Sequence, residues 1–78
     1  MVTIKMFGSL RLKTGFKGME ADVKSIPEAC DLVAKETGWD VKELKGCIFC
    51  VNGKMNSKIS TKIKDGDELI FMAPSGGG

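Results

Sequence analysis

The chain has 78 residues, of which 42% are hydrophobic and 28% charged, with a formal net charge of +2. This length fits one small domain with a thin core, expected to be a single sheet backed by a helix. The sequence contains no His, which excludes His-based acid–base catalysis, and its weak positive charge, carried by lysines and a single arginine, argues against nucleic-acid binding.

The first predicted element is a strand over residues 2–6, in which apolar and polar side chains alternate. Gly8, Gly15 and Gly18 then interrupt the chain, and residues 18–24 alternate weakly as a second strand would. We expect the two strands to form a hairpin with a long connection.

The clearest helix signal follows this hairpin. Ser25 is a favourable N-cap, and Glu28, three residues later, completes a capping box. Apolar residues then recur at helical spacing as far as Thr37, and Gly38 is suited to end a helix in the left-handed conformation. The pattern predicts one main helix over about residues 26–37.

A weaker capping box at Asp40 predicts a single helical turn after the main helix. Residues 47–51 then form an apolar strand, and Asn52-Gly53 is the dipeptide preferred in a type I′ hairpin turn. Residues 54–56 begin the short return strand of this hairpin.

The last strand spans residues 68–73 and ends at Pro74, which has no N–H for a strand ladder. The element order predicts an α+β fold of the β-grasp type, in which a mixed sheet of four to five strands packs on one main helix. The terminal strands would pair at its centre. We assign residues 1–73 to this domain and residues 74–78 to a flexible glycine tail.

The cysteines are expected to be structural. Cys47 and Cys50 have the spacing of a CxxC motif, but side chains three residues apart on a strand point to opposite faces. They should therefore neither share a metal nor form a redox pair, and Cys30 falls within the predicted helix. We predict no catalytic residue and no metal site.

The strands carry more apolar residues than one helix can cover. Residues 47–51 and 69–72 are apolar on both faces, so one face is predicted to be a partner-binding surface, unless loops cover it. If Leu69 and Phe71 face the helix, Ile70 and Met72 point outward; the reverse register is also open.

The glycine tail is the second feature that folding does not require. Gly76, Gly77 and Gly78 lack side chains, so this end can thread a narrow channel in another protein. Its terminal carboxylate becomes open to attack by sulfur or amine nucleophiles once it is converted to an acyl-adenylate. The alternative is a frayed terminus without function.

These features together resemble the small ubiquitin-like sulfur-carrier family, the MoaD and ThiS proteins, and most closely the small subunit of molybdopterin synthase. The resemblance covers nearly the whole chain and is carried by four stretches: Val2–Arg11 with its Phe-Gly-Ser-Leu-Arg run, the Val51-Asn-Gly53 turn, Asp65–Glu68, and Pro74–Gly78. The third glycine departs from the usual two-glycine end, and Gly76 would be an added linker.

The resemblance implies a sulfur-carrier cycle for molybdenum or tungsten cofactor biosynthesis. An E1-like enzyme would adenylate the carboxylate of Gly78 with ATP, and a sulfur donor would convert it to a thiocarboxylate. The carrier would then deliver the sulfur in a complex with the large subunit of molybdopterin synthase. It implies that Gly76 and Gly77 thread the tail into the partner. The docking residues would be Phe49, Ile70, Met72 and Pro74. The carrier itself would bind no cofactor.

Two alternatives stay open: a ubiquitin-like protein modifier, and a β-grasp interaction module without covalent chemistry.

No apolar run is long enough to span a membrane, and the N-terminus lacks the pattern of a signal peptide. We therefore expect a cytoplasmic protein that binds neither membranes nor nucleic acid.

Overall fold

A computed structural model describes residues 1–73. The elements in chain order are β1 (Val2–Met6), α1 (Ser9–Thr14), β2 (Met19–Ala21), α2 (Ile26–Thr37), α3 (Val41–Lys45), β3 (Ile48–Val51), β4 (Lys54–Ser57) and β5 (Glu68–Met72). The strands form one sheet in the order β2-β1-β5-β3-β4. β1 and β5 pair in parallel at its centre, and the other neighbouring strands are antiparallel. The predicted β-grasp fold is confirmed.

The main helix α2 has the predicted bounds, because its two ends are set by local sequence. The Ser25 side chain accepts a hydrogen bond from the Glu28 N–H at 3.2 Å, which satisfies one of the free N–H groups of the first turn. At the other end, Gly38 adopts φ +78°, and its N–H donates to the Ala34 carbonyl at 2.8 Å. The helix therefore begins and ends where the caps predict.

The core lies between α2 and one face of the sheet, here called the inner face. Helix α2 contributes the buried residues Ile26, Ala29, Cys30 and Val33. The sheet contributes alternate residues of its strands: Val2, Ile4, Met6, Phe49, Val51, Leu69 and Phe71. Of the two registers left open for β5, the structure therefore has the one in which Leu69 and Phe71 face the helix.

The connection between β1 and β2 contains a helix that the sequence did not predict. Helix α1 has only six residues, and its N-cap is Gly8, which has no side chain to cap the first turn. It is held instead by the buried Leu10 and by Thr14, whose hydroxyl contacts the Leu10 carbonyl oxygen at 2.9 Å. A short helix without a cap is stabilised by tertiary packing, which propensity cannot reveal.

The remaining elements differ little from expectation. Strand β2 has only three residues, and the predicted turn after Asp40 is the short helix α3, whose Lys42 N–H donates to the Asp40 side chain at 2.9 Å. Both central residues of the β3–β4 turn have positive φ, 50° at Asn52 and 81° at Gly53, as a type I′ turn requires. Within residues 1–73, no helix is long and apolar enough to cross a membrane.

A side-chain clasp joins the β3–β4 turn to the start of β5. The Asn52 amide donates to a carboxylate oxygen of Asp67 at 3.0 Å, and the Lys64 N–H donates to the other at 2.9 Å. The side-chain amide oxygen of Asn52, Oδ1, in turn accepts from the Glu68 N–H at 2.9 Å. The hydrogen bond from Asn52 and, to a smaller extent, the one from the Lys64 N–H lower the pKa of Asp67 below its ordinary value.

The lowered pKa of Asp67 predicts a loss of stability in acid. Because its folded pKa lies below its unfolded pKa, the ionised group stabilises the fold above the unfolded value, and this contribution disappears as the pH falls through the folded value. We expect the free energy of unfolding, measured in urea from about pH 6 to about pH 2, to fall less steeply in Asp67→Asn than in the native chain. Equal slopes for both proteins would show that the clasp does not depend on ionisation.

Candidate functional site

The sheet face that points away from α2, here called the outer face, has a polar half and an apolar half. Thr3 on β1 is in register with Glu68 on β5, and Lys5 is in register with Ile70. The Lys5 ammonium lies 3.1 Å from a Glu68 carboxylate oxygen, so an ion pair marks the polar half. Beyond it, toward the C-terminal end of β5, the exposed side chains are apolar.

The apolar half begins with a row of three residues on neighbouring strands. Met72 on β5 is in register with Ile48 on β3, and both are half-buried. On the other side, Phe7 directly follows β1, and its N–H donates to the Phe71 carbonyl at 3.0 Å. Since side chains alternate along a strand and Met6 is buried, Phe7 belongs to the outer face, where it is 65% exposed.

A second apolar row runs through Ile70 and Cys50, which are in register on β5 and β3. The β3–β4 hairpin pairs Val51 with Lys54 and Phe49 with Ser57, and its register shifts between these pairs. Met55 and Asn56 on β4 therefore both lie opposite the single residue Cys50, on the outer face. Met55 is 54% exposed, whereas Cys50 is buried between its neighbours.

These five accessible residues form one surface, here called the outer patch: Phe7, Ile48, Met55, Ile70 and Met72. A surface of large apolar side chains on a small domain is typical of a protein-binding site. Its position gives it a second property. The chain leaves the sheet from Met72, a member of the outer patch, and continues into residues 74–78. A protein bound to the outer patch would therefore lie beside the start of the tail.

The structure separates the four predicted docking residues. Ile70 and Met72 lie on the outer face, in the orientation predicted for the register in which Leu69 and Phe71 face the helix. The placement of Phe49 as a docking residue is wrong: its side chain is 3% exposed and lies in the core. Its ring meets that of Phe71 edge to face, with centroids 5.4 Å apart. Pro74 lies outside the described residues.

Three residues of the outer patch were missed from the sequence, namely Phe7, Ile48 and Met55. The signal for Phe7 was the alternation of β1, which continues one residue beyond the predicted strand. Ile48 can be assigned to the outer face only when the register of β3 is known, and that register is set by pairing with β5. The predicted tail residues Gly76, Gly77 and Gly78 lie outside the described residues.

The cysteines have the environment of structural residues. Cys30 is fully buried in the core, and burial raises the pKa of its thiol to about 11. Burial, with the nearby Glu43 carboxylate as a second cause, also raises the pKa of the half-buried Cys47. A raised pKa keeps a thiol protonated at neutral pH and therefore poorly nucleophilic.

Cys47 and Cys50 do not converge on one point. Cys47 packs against the core cluster, whereas Cys50 alternates to the outer face, and all three cysteines are free thiols. Among residues 1–73, no group of three or more Cys, Asp or Glu side chains is arranged to hold a metal ion.

The chain is similar to solved structures of small proteins along its whole length. It shares 20% identity with the small archaeal modifier protein 1 (SAMP1) from Methanosarcina acetivorans, at a TM-score of 0.76 and coverage of 99% of this chain and 95% of the other. In the complex of subunits 1 and 2 of the molybdopterin-converting factor from Helicobacter pylori 26695, a chain with 23% identity matches at 0.68, with coverage of 99% and 97%.

A third similar structure is the Amycolatopsis orientalis BexX/CysO complex, with 26% identity, a TM-score of 0.70 and full coverage of both chains. No curated protein matches the sequence. The family model described as ThiS family, however, matches residues 4–78, a span that begins within β1 and includes the outer patch and the terminal glycines. With the β-grasp sheet and the apolar outer patch beside its last strand, the chain therefore belongs to the ThiS family of ubiquitin-like sulfur carriers.

Proposed function

We propose that this protein carries sulfur as a thiocarboxylate on Gly78 for the synthesis of molybdopterin. The observation that carries the proposal is the outer patch, which includes Met72, the last residue of the strand that leads into the tail. The match to the ThiS family extends through this tail to residue 78. One protein partner can then hold the sheet and receive the terminal carboxylate in the same encounter.

The chemistry requires two steps at the Gly78 carboxylate. In the first, a carboxylate oxygen attacks the α-phosphorus of ATP in an E1-like enzyme, forming an acyl-adenylate as pyrophosphate leaves. In the second, hydrosulfide supplied by a donor attacks the acyl carbon, a C–S bond forms, AMP leaves and the sulfur loses its proton. Enzymes use such activation because a free carboxylate is a poor electrophile.

The chain itself supplies recognition and reach in this cycle. Its sequence has no His to move protons, and burial keeps the thiols of Cys30 and Cys47 protonated. Its own residues therefore provide the docking surface, in which we place Ile70 and Met72, with Pro74 leading into the tail. Gly76 and Gly77 pass through the partner's channel because they have no side chain to obstruct it.

The structure of the Helicobacter pylori complex supports the assignment to molybdopterin synthesis, since there a chain of this fold is assembled with a second subunit of a molybdopterin-converting factor. The run from Phe7 to Arg11, which favours a likeness to MoaD over one to ThiS, supports it as well. The protein that accepts the sulfur from this chain is accordingly proposed to be the large subunit of molybdopterin synthase.

A second function, covalent attachment to other proteins, is favoured by the likeness to SAMP1, a small archaeal modifier protein. The same acyl-adenylate would be attacked by the amine of a partner lysine and would give an isopeptide bond. A carrier yields a free chain with a thiocarboxylate end, whereas a modifier yields higher-mass conjugates. A β-grasp interaction module would bind its partner equally well without the glycines.

A chain with a carboxamide at Gly78 tests the role of the terminal carboxylate. It has the same length and backbone as the native chain, but its terminal amide cannot form the acyl-adenylate. We expect complete loss of sulfur incorporation and of ATP-dependent pyrophosphate release, with unchanged affinity for the activating enzyme. Intact mass spectrometry and calorimetric titration measure these quantities.

Removal of Gly77 and Gly78 together is the matched genetic variant and should also abolish both reactions. A carboxamide chain that still releases pyrophosphate would contradict the role of Gly78, and conjugates on lysine, in place of a free thiocarboxylate, would favour the modifier.

A further inference from the structure

The five methionines occupy chemically different positions. Met6 is buried in the core, and the Thr14 hydroxyl lies 3.0 Å from its sulfur. Met19 is half-buried and packs against the core. The two others within the sheet, Met55 and Met72, are part of the outer patch.

Met1 provides a comparison away from the outer patch. It is 61% exposed, and its amino group forms an ion pair with Asp65 at the end of the sheet where β1 begins. The tail leaves from the opposite end, because β1 and β5 run parallel. Solvent thus reaches both Met1 and Met55, but only Met55 belongs to the candidate interface.

Two of the five side chains in the outer patch are therefore thioethers. Unlike the neighbouring Ile48 and Ile70, a thioether can be converted reversibly from an apolar group into a strongly polar one. They lie on two different strands, Met72 on β5 and Met55 on β4, with β3 between them. A partner that covers the outer patch would contact both.

We propose that Met55 and Met72 are a modification site through which peroxides control docking. In the reaction, the thioether sulfur attacks one oxygen of hydrogen peroxide, an S–O bond forms, the O–O bond breaks and water leaves. The sulfur is oxidised by two electrons and the peroxide is reduced. A thiol-dependent methionine sulfoxide reductase reverses the change. This inference rests on the proposed function, since it requires a protein that docks on the outer patch.

The expected effect follows from burying the new polar group. A sulfoxide oxygen that is covered by an apolar partner loses its hydrogen bonds to water, and each such loss is expected to weaken binding by about tenfold. Two sulfoxides together should weaken it by about a hundredfold. Oxidation of Met1 should have no effect on docking because that residue lies outside the outer patch.

The test compares the full-length chain with two variants. M55L/M72L removes both thioethers of the outer patch, and M19L, the control, removes one that packs against the core. Each is treated with hydrogen peroxide and then with dithiothreitol, which reduces oxidised thiols but not sulfoxides. Peptide mass mapping identifies the oxidised methionines. The affinity of each chain for the activating enzyme after treatment is divided by the same chain's affinity before treatment.

We expect this ratio to fall about a hundredfold for the native chain and for M19L, to stay near one for M55L/M72L, and to recover after incubation with methionine sulfoxide reductases. A native chain that carries both sulfoxides and keeps its affinity would overturn the inference, as would an equal loss in M55L/M72L.

Retention on a hydrophobic-interaction column provides a second measurement that needs no partner protein. If the untreated chain does not bind the activating enzyme, the proposed function fails, and this column still tests the modification site. Earlier elution of the oxidised native chain, absent from M55L/M72L, is the expected result. Unchanged elution of a chain with both sulfoxides would overturn the inference.

Discussion

Replacement of Met72 by Glu is expected to weaken binding of the activating enzyme by about a hundredfold while the fold is retained. Met72 is half-buried on the outer face beside Ile48 and Phe7, and Lys5, the nearest cation on β1, is already paired with Glu68. A partner that covers this position would bury an unpaired charge, which is costly in an apolar interface. Titration calorimetry measures the affinity, and the thermal transition followed by circular dichroism measures the fold.

Ser60→Glu is the matched control for this variant. It adds the same charge at an exposed position that lies outside the strands and the outer patch. We expect its affinity to stay within a few-fold of the native value, because exposed charges at a distance are screened by salt. Equal affinities of the Met72→Glu and Ser60→Glu chains would contradict docking on the outer patch.

Replacement of Phe71 by Ala is expected to cost about 3–5 kcal/mol of unfolding free energy. The side chain is fully buried, packs edge to face against Phe49, and lies on one of the two central strands. Such a loss is a large share of the stability of a small domain, which is about 5–15 kcal/mol. Urea unfolding followed by circular dichroism provides the measurement.

Leu12→Ala is the control for this loss. Leu12 is a large apolar residue that is 85% exposed on α1, so its truncation should change the unfolding free energy by no more than about 0.5 kcal/mol. If the two substitutions destabilised the chain equally, the inner face would not be the core of the domain.

Local signals made most of the fold predictable. The bounds of α2 follow from Ser25 and Gly38, and the β3–β4 turn follows from Asn52-Gly53. Each of these residues acts on backbone groups within four positions of itself, so the sequence contains the whole cause. Helix α1 lacks such a cause, because Gly8 provides no cap and the buried Leu10 depends on the rest of the core.

The features of the fold that could not be predicted depend on contacts between residues that lie far apart in the sequence. Strand β3 is apolar at every position, so alternation alone cannot tell which face Phe49 takes; its register with Phe71 on β5 decides this. The clasp between Asn52 and Asp67 likewise joins residues 15 positions apart. Ile70 and Met72 could be predicted as outward residues because alternation allows β5 only two arrangements, and in one of them Leu69 and Phe71 face the helix.

The intact mass of the chain tests most directly whether Gly78 accepts sulfur. The native chain is incubated with the E1-like activating enzyme of the same organism, ATP and a sulfur donor. We expect the mass to rise by the difference between one sulfur and one oxygen atom, and fragmentation to locate the change at Gly78. A chain that binds the enzyme and turns over ATP, yet shows no sulfur at its end, would contradict a sulfur-carrier function.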